Sequence, residues 1–275
     1  MARFRPLKSP SSFRKLAVAS WRAPNDPTIY GTMAIEMTDA LAYIERARAG
    51  GVKVTVTHLV ARAVALALRK NEELNAKVHL GRIVLRDTVD IFLQVSVDGG
   101  ADLSGVKIER ADEKGVAEIA RELSDHAARI RAGRDPALQR SRNLVRSLPG
   151  WLVRPFLGIA SFLTNTLHLD LRGSGMPRDA FGSAMVTSVG MFGIDVGYAP
   201  FVPLARCAML VLVGEVQDKP WVVDGQVVVR PVLNLSATFD HRIIDGYHAG
   251  LLGAEVRRVL SSPAALDEAA VRSVG

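Results

Sequence analysis

Apolar and polar residues alternate at several places along the chain, and this pattern predicts strands with one buried face. The clearest run is Val89–Val97, in which every second residue is aliphatic, as expected of a strand whose alternate side chains face a core. Similar runs predict strands at Ile29–Met37, Ala208–Glu215 and Val227–Thr238. The Asp224-Gly225 pair between the last two predicts a tight hairpin turn.

Helical periodicity, with apolar residues three or four positions apart, separates these strands. It predicts four main helices: Asp39–Ala49 after a Thr38 cap, a strongly apolar helix from Thr55 or Thr57 onward, one from Asp112 or Glu113 to Arg131, and Tyr247–Leu260. Gly50-Gly51 ends the first of them. Long alternating strands mixed with amphipathic helices predict an α+β fold.

One stretch in the middle of the chain differs from the rest. Residues 129–146 contain six arginines and one acid, Asp135, and Leu148–Leu169 then has a single charge, Arg154. The apolar part is about long enough to cross a bilayer, but prolines and glycines interrupt the roughly 20 apolar residues that a spanning helix requires. The pattern therefore does not favour a transmembrane helix.

Composition limits the class of protein. The chain has 275 residues, of which 48% are hydrophobic, enough for one large domain with a substantial core. The single cysteine, Cys207, lies in an apolar run, so we expect it to be part of the core of a cytoplasmic protein. The formal charge of +7 favours partners such as coenzyme phosphates, an acidic carrier domain or anionic lipid. Nucleic acid is the least favoured of these partners, because the sequence has no nucleic-acid-binding motif. It has no metal-binding motif either.

The segment Phe239–Gly246 carries the candidate chemistry, because it joins a predicted strand to a predicted helix. There His241 has a fixed backbone and a ring free to face a cleft, as a general base requires. Asp245, four residues on, is placed to orient the turn or to pair with a cation. Gly246 is expected to permit backbone geometry that a Cβ would forbid. The alternative is a structural histidine–aspartate hydrogen bond.

The motif Asp-His-Arg-x-x-Asp-Gly at 240–246 resembles the signature of the 2-oxoacid dehydrogenase dihydrolipoyl acyltransferases (the E2 catalytic domain) and, more distantly, that of the chloramphenicol acetyltransferases. Phe181–Gly193 is similar to the family segment that ends in Gly-Met-Phe-Gly. Arg14–Ser20 resembles the stretch that opens the domain, and the apolar helix beginning near Thr55 resembles a further family run. Together the resemblance covers about residues 12–135 and 176–263.

The resemblance implies the chloramphenicol-acetyltransferase-like fold, a mixed sheet backed by helices, assembled as trimers with active sites between subunits. It places Thr187 where the family has a serine that donates a hydrogen bond to the oxyanion, with neighbouring Ser188 as a fallback. A strand threonine bonded to backbone is the alternative. Arg14 is the basic residue that would pair with the motif aspartate, unless it is an ordinary solvated arginine.

The same resemblance divides the chain into a basic arm at 1–12, a catalytic domain at 13–263 and a tail at 264–275. Because the family's connection is brief, residues of about 136–175 are predicted to be an apolar insertion. Packing, a subunit contact or a lid over the active site would explain it, and so would a membrane surface that uses residues 146–169.

The implied activity is transfer of an acyl group between coenzyme A and a lipoyl thiol, with the lipoyl group supplied by another chain. The implied partners are two further copies of the chain, other 2-oxoacid dehydrogenase subunits and, less clearly because the tail is polar, a larger cage. Two alternatives stay open: an acyltransferase of the same fold with another small-molecule or carrier-bound acceptor, and a catalytically silent scaffold.

Overall fold

The computed structural model describes residues 26–97, 102–132, 149–170, 178–201 and 205–266. The basic arm, Arg14 and residues 98–101 lie outside the described residues. Most of the arginine-rich run also lies outside them.

A six-stranded mixed sheet forms the centre of the molecule. Its strands are β1 (Thr28–Glu36), β4 (Ile91–Val97), β5 (Asp102–Ile108), β6 (Ala184–Ser188), β7 (Met209–Val223) and β8 (Gln226–Asp240), and a separate hairpin pairs β2 (Ala76–His79) with β3 (Arg82–Leu85). The order across the main sheet is β1-β8-β7-β6-β4-β5. The short strand β6 runs parallel to both neighbours, and the other pairs are antiparallel.

The helices are α1 (Thr38–Ala49), α2 (Val56–Lys70), α3 (Val116–Arg131), α4 (Gly150–Ser161) and α5 (Gly246–Ser261). Short 3-10 turns occupy Glu72–Leu74, Gly190–Phe192 and Pro263–Leu266, and a π-helical turn occupies Phe162–Thr166. A large hydrophobic core joins the sheet to α1, α2, α3 and α5. The α+β class, with a mixed sheet and packed helices, is therefore confirmed.

Helix α2 is the most deeply buried helix, which explains why its sequence is apolar on nearly every side. It begins at a capping box, in which the backbone N–H of Thr55 donates to Nδ1 of His58 over 3.1 Å. His58 is 7% exposed, so it caps the helix from inside the protein. Burial lowers the pKa of His58 to about 4.

A second layer covers the opposite face of the sheet with the segment that follows β6. Asp195 anchors this segment by accepting from Lys219 Nζ (2.6 Å) and from Asn234 Nδ2 (3.0 Å). Tyr198 bonds Thr32 through their hydroxyl groups over 2.6 Å. The segment therefore crosses strands β7, β8 and β1, while much of its apolar surface faces outward.

Several predicted boundaries need correction. Helix α1 begins at Thr38, whose hydroxyl donates to Glu36, so Thr38 is not the N-cap. Helix α3 begins at Val116 because Asp112, fully buried, pairs with Arg69 in the preceding turn. Strand β5 was not predicted. The Asp224-Gly225 hairpin is confirmed, since both residues have positive φ as its tight turn requires.

The predicted tail also begins too early. Ala265 and Leu266 are buried in the core, and the Leu266 carbonyl accepts a hydrogen bond from Arg62 (3.1 Å). The folded domain thus reaches Leu266, because this apolar turn closes one end of the helical layer. Residues 267–275 lie outside the described residues.

The described part of the predicted insertion is helical across its interruptions. Helix α4 continues through Pro155 and Gly158 into the π-helical turn. This segment exposes large apolar side chains: Trp151, Ile159, Phe162, Leu167 and Leu169. Across the described ranges, no helix has both the length and the apolar character needed to cross a bilayer.

Candidate active site

The segment Phe239–Gly246 forms the predicted strand-to-helix turn. The backbone N–H of His241 donates to the carbonyl of Pro27 over 2.7 Å, which holds the end of β8 against the start of β1. The N–H groups of Ile243 and Ile244 both donate to the Asp240 carbonyl at 2.9 Å. Ile244 is fully buried, so it fixes the turn to the core and leaves His241 exposed.

The imidazole of His241 has a defined orientation. Its Nδ1 lies 3.2 Å from the backbone carbonyl of Ile244. Since a carbonyl only accepts hydrogen bonds, Nδ1 carries the proton in the neutral ring and Nε2 keeps its lone pair. Among the residues that the structure describes, none hydrogen-bonds Nε2. This arrangement suits a general base that takes a proton from a bound thiol.

Asp245 holds the turn directly. Its carboxylate caps α5 by accepting from the backbone N–H of His248 (3.0 Å), and the His248 ring lies 2.9 Å from the same oxygen. The helix N–H donor is the main cause that lowers the pKa of Asp245. Arg14, the predicted alternative partner, is outside the described residues.

Gly246 does not fulfil the role predicted for it within this chain. It is the first residue of α5 and is absent from the glycines with positive φ. A Cβ at this position would meet no heavy atom of the described structure within 4 Å. Its backbone is that of an ordinary helix start, so a side chain here would be tolerated sterically by the single chain.

Asp240 and Arg242 form an ion pair that the sequence did not single out. Arg242 Nη2 lies 2.6 Å from Asp240 Oδ2, and its Nε donates to both carboxylate oxygens. The bond to Asp240 raises the pKa of Arg242. The sequence signal for this ion pair was the acid and the base that flank His241, two residues apart. The pair stiffens the backbone that carries the imidazole.

Thr187 and Ser188 end strand β6, opposite Leu212 and Val213 of β7. Both side chains are partly exposed, and consecutive strand residues face opposite sides of a sheet. No described residue hydrogen-bonds either hydroxyl. Thr187 is therefore able to donate to a ligand, as an oxyanion donor must.

The sheet keeps His241 and Thr187 apart within one chain. Thr187 lies in the same row of the sheet as Leu212 and Ser236, and His241 follows Ser236 by five residues. That separation is roughly 16 Å along the strands, with about 9 Å more across two strand spacings. The two residues cannot act on the same bond in an isolated chain.

A cavity of about 290 Å³ lies beside the His241 turn, and its lining includes Tyr30, Arg206, Asp240 and Arg242. Cys207 also borders it but is 4% exposed, and burial raises the pKa of its thiol to about 12. The thiol is thus a core group and not a nucleophile at neutral pH. In the described ranges no three potential metal ligands lie close enough to hold an ion.

The family model for "2-oxoacid dehydrogenases acyltransferase (catalytic domain)" matches residues 14–139 and 160–267. The interruption falls within the predicted insertion of about 136–175. The match therefore includes both the turn that carries His241 and the strand that carries Thr187.

Curated relatives include the dihydrolipoyllysine-residue acetyltransferase component of the pyruvate dehydrogenase complex of Zymomonas mobilis, 25% identical over 87% of this chain and 46% of that protein. The corresponding component of the acetoin cleaving system of Bacillus subtilis is 28% identical over 78% of this chain and 44% of that protein. The chain spans less than half the length of these relatives.

Solved structures show the same fold. A probable dihydrolipoamide acetyltransferase from Listeria monocytogenes superposes with a TM-score of 0.65 at 20% identity, covering 94% of each chain. The cubic core of the pyruvate dehydrogenase multienzyme complex gives a TM-score of 0.64 at 20% identity, covering 95% of this chain and 99% of the other.

Proposed function

The chain belongs to the family of 2-oxoacid dehydrogenase acyltransferase catalytic domains, and from this premise we propose that it transfers an acyl group between coenzyme A and a dihydrolipoyl thiol. The observation that carries the proposal is the orientation of His241. Its Nδ1 is engaged by the Ile244 carbonyl at the end of a strand, so its Nε2 is the basic nitrogen.

The proposed reaction needs only groups of this protein and its two substrates. Nε2 of His241 removes the proton of the attacking thiol, and the thiolate adds to the carbonyl carbon of the acyl thioester. The resulting oxyanion accepts a hydrogen bond from Thr187. When the carbonyl re-forms, the carbon–sulfur bond to the departing thiol breaks, and that thiolate takes the proton from the imidazolium. No acyl-enzyme is formed.

The proposed site lies between two subunits. In one chain the base and the oxyanion donor are separated by roughly 16 Å along the strands, so His241 of one copy would meet Thr187 of a neighbouring copy. The segment after β6 supports this arrangement, because it exposes Met191, Phe192 and Ile194 on a surface that a subunit contact would cover. A homotrimer is the proposed assembly, as implied by the family resemblance.

We also propose partners beyond the trimer. The lipoyl group would be presented by a domain outside residues 14–267, and coenzyme A would be the other substrate. Homologous components belong to multienzyme complexes, which supports association with further 2-oxoacid dehydrogenase subunits. Light scattering of the purified protein would show whether the trimers assemble into a cage.

The test is coenzyme A release from acetyl-, succinyl- and branched-chain acyl-coenzyme A with dihydrolipoamide as acceptor. We expect turnover with at least one donor and a loss of about 10²-fold or more in His241→Ala, the scale of general-base catalysis. His126→Ala, on helix α3, is the matched control and should retain full activity. No turnover with any donor from a folded assembly would contradict the proposal.

A second candidate is an acyltransferase of the same fold that uses a different acceptor. The exposed apolar side chains of α4, Trp151 and Ile159, favour it, because they could line the binding site of a more apolar acceptor. Small thiols, amines and hydroxyl compounds tested beside dihydrolipoamide separate the two functions. Turnover with one of these acceptors but not with dihydrolipoamide would support the second function.

A further inference from the structure

A polar cavity of about 650 Å³ lies at one end of the sheet, apart from the His241 turn. The β2–β3 hairpin, the ends of β4 and β5, His168 and the residues before β6 form its described lining. No residue of Phe239–Gly246 lines it. Its volume is that of a site for a small molecule.

The lining carries more positive than negative charge. The cations are Lys77, Arg86, Lys107, Arg110 and Arg178, and the carboxylates are Asp87, Asp90, Glu109 and Asp179. On one side the charges pair locally, because Lys107 lies 3.5 Å from Asp90 and 3.3 Å from Glu109. Arg110 on the same side pairs with Glu113 over 3.5 Å.

On the other side one carboxylate faces several cations. Asp179 forms an ion pair with Arg86 and lies 3.9 Å from Lys77. Arg178 is exposed beside it and has no ion-pair partner among the described residues. Burial lowers the pKa of Lys77, and Arg86, Arg206 and Arg178 lower it further, against the attraction of Asp179. The positive charge is therefore only partly neutralised by the described residues.

Three buried polar atoms at this side lack hydrogen-bond partners within the described ranges: Nε of Arg86, Nδ1 of His79 and Oδ1 of Asp179. The Arg86 side chain is only 7% exposed, and buried polar groups of this kind are normally paired. The ring of His168 lies 5.0 Å from that of His79, centroid to centroid, in an edge-to-face arrangement. The cavity thus has positive charge that the described carboxylates only partly neutralise, together with nitrogen atoms that have no hydrogen-bond partner among the described residues.

We propose that this cavity binds the phosphate group of a small molecule, at a site separate from the acyl-transfer site. Arg86 and Arg178 line the cavity from two chain segments, and His79 and His168 line it beside them. A phosphate carries several acceptor oxygens that suit donors converging from different directions. The site does not depend on the proposed acyl transfer.

Calorimetric titration with inorganic phosphate, pyrophosphate and ADP, at low ionic strength and in phosphate-free buffer, tests the site. We expect saturable binding of at least one of the three. Tighter binding of ADP than of pyrophosphate would identify a nucleotide ligand, and equal or tighter binding of inorganic phosphate would identify the free ion.

The informative variant is Arg178→Gln, because this exposed side chain has no described ion pair whose loss would unfold the protein. Losing one charge-assisted contact should weaken binding about tenfold or more. Arg121→Gln, exposed on helix α3, is the control and should bind as wild type does. Three outcomes would contradict a separate phosphate site. They are unchanged binding in Arg178→Gln, no binding of any of the three compounds, and displacement of the bound phosphate by coenzyme A.

Discussion

At the scale of single residues, two histidines show how environment assigns different roles to one side chain. His241 is exposed and held through Nδ1 by a backbone carbonyl, which leaves a basic nitrogen for chemistry. His58 is buried, and its Nδ1 accepts from the Thr55 backbone, which requires an unprotonated Nδ1. The first arrangement favours proton transfer, whereas the second stabilises a helix start.

The His58 arrangement predicts a specific dependence of stability on pH. Its pKa falls from an ordinary 6.5 to about 4 in the folded protein, so between these values the unfolded chain binds more protons. The contribution of His58 to stability is complete above pH 6.5 and is lost as the pH falls toward 4. It amounts to at most about 3 kcal/mol.

His58→Gln should remove this dependence, because glutamine does not titrate and is a common partner in capping boxes. Urea unfolding at pH 5 and pH 7.5 gives the measurement, at one protein concentration. The difference between the two pH values should shrink in His58→Gln but not in His126→Gln. Parallel changes in wild type and His58→Gln would show that another group causes the dependence.

Thr187 allows a test of the proposed oxyanion contact. Thr187→Val keeps the shape of the side chain but removes the donor, and it should lower kcat by about 10²- to 10³-fold with little change in KM. Thr187→Ser should keep most of the activity, since the hydroxyl remains. Ser188→Ala is the adjacent control, and full activity in Thr187→Val would exclude the oxyanion role.

At the scale of elements, the helical layer is joined by a buried arginine. Arg62 on α2 is 2% exposed and donates to the carbonyls of Leu266, Ala111 and Asp112. It thereby connects α2 to the turn before α3 and to the 3-10 turn at the end of the domain. Because the guanidinium is buried, these hydrogen bonds form inside the protein, where an unpaired carbonyl is costly.

Arg62→Met should therefore destabilise the protein, although methionine fills part of the same space. Leaving buried carbonyls unpaired costs about 1–3 kcal/mol each, so we expect a loss of about 3 kcal/mol or more in the free energy of unfolding. Denaturant unfolding measures it, with exposed Arg121→Met on α3 as the control. A loss equal to that of the control would show that the three carbonyls find other donors.

At the scale of the whole molecule, the central feature is that the proposed base and oxyanion donor are far apart in one chain. His241 follows β8, and Thr187 ends β6 two strands away. The hydrogen-bonded register of β6, β7 and β8 holds the two positions apart. The same chain exposes an apolar strip at Met191, Phe192, Ile194, Val196 and Tyr198, as expected of a subunit contact.

Mixing two inactive variants tests this separation. If sites form between copies, assemblies that contain both His241→Ala and Thr187→Val chains regain some intact sites. Random assembly at equal amounts should restore about one quarter of wild-type activity, because each site draws one residue from each of two copies. Co-expression followed by the coenzyme A release assay measures it, and no recovery from mixed assemblies would place both residues in a site within one chain.

Much of the local structure could be predicted because it depends on neighbouring residues. The hairpin at Asp224-Gly225, the start of α2 at Thr55 and the strand-to-helix turn around His241 each follow from a few consecutive side chains. Helix α4 could not be predicted in this way, since Pro155 normally favours a break. The start of α3 was missed because the Asp112–Arg69 ion pair joins distant segments.

The sequence by itself determined the α+β class, the buried cysteine and the residue types available for acyl transfer. Only the tertiary structure decided where these groups lie, because β6 pairs with strands β4 and β7 that are far from it in the chain. That pairing separates Thr187 from His241. The polar cavity also depends on the tertiary structure, since Arg86 and Asp179 meet only when the chain between them folds back.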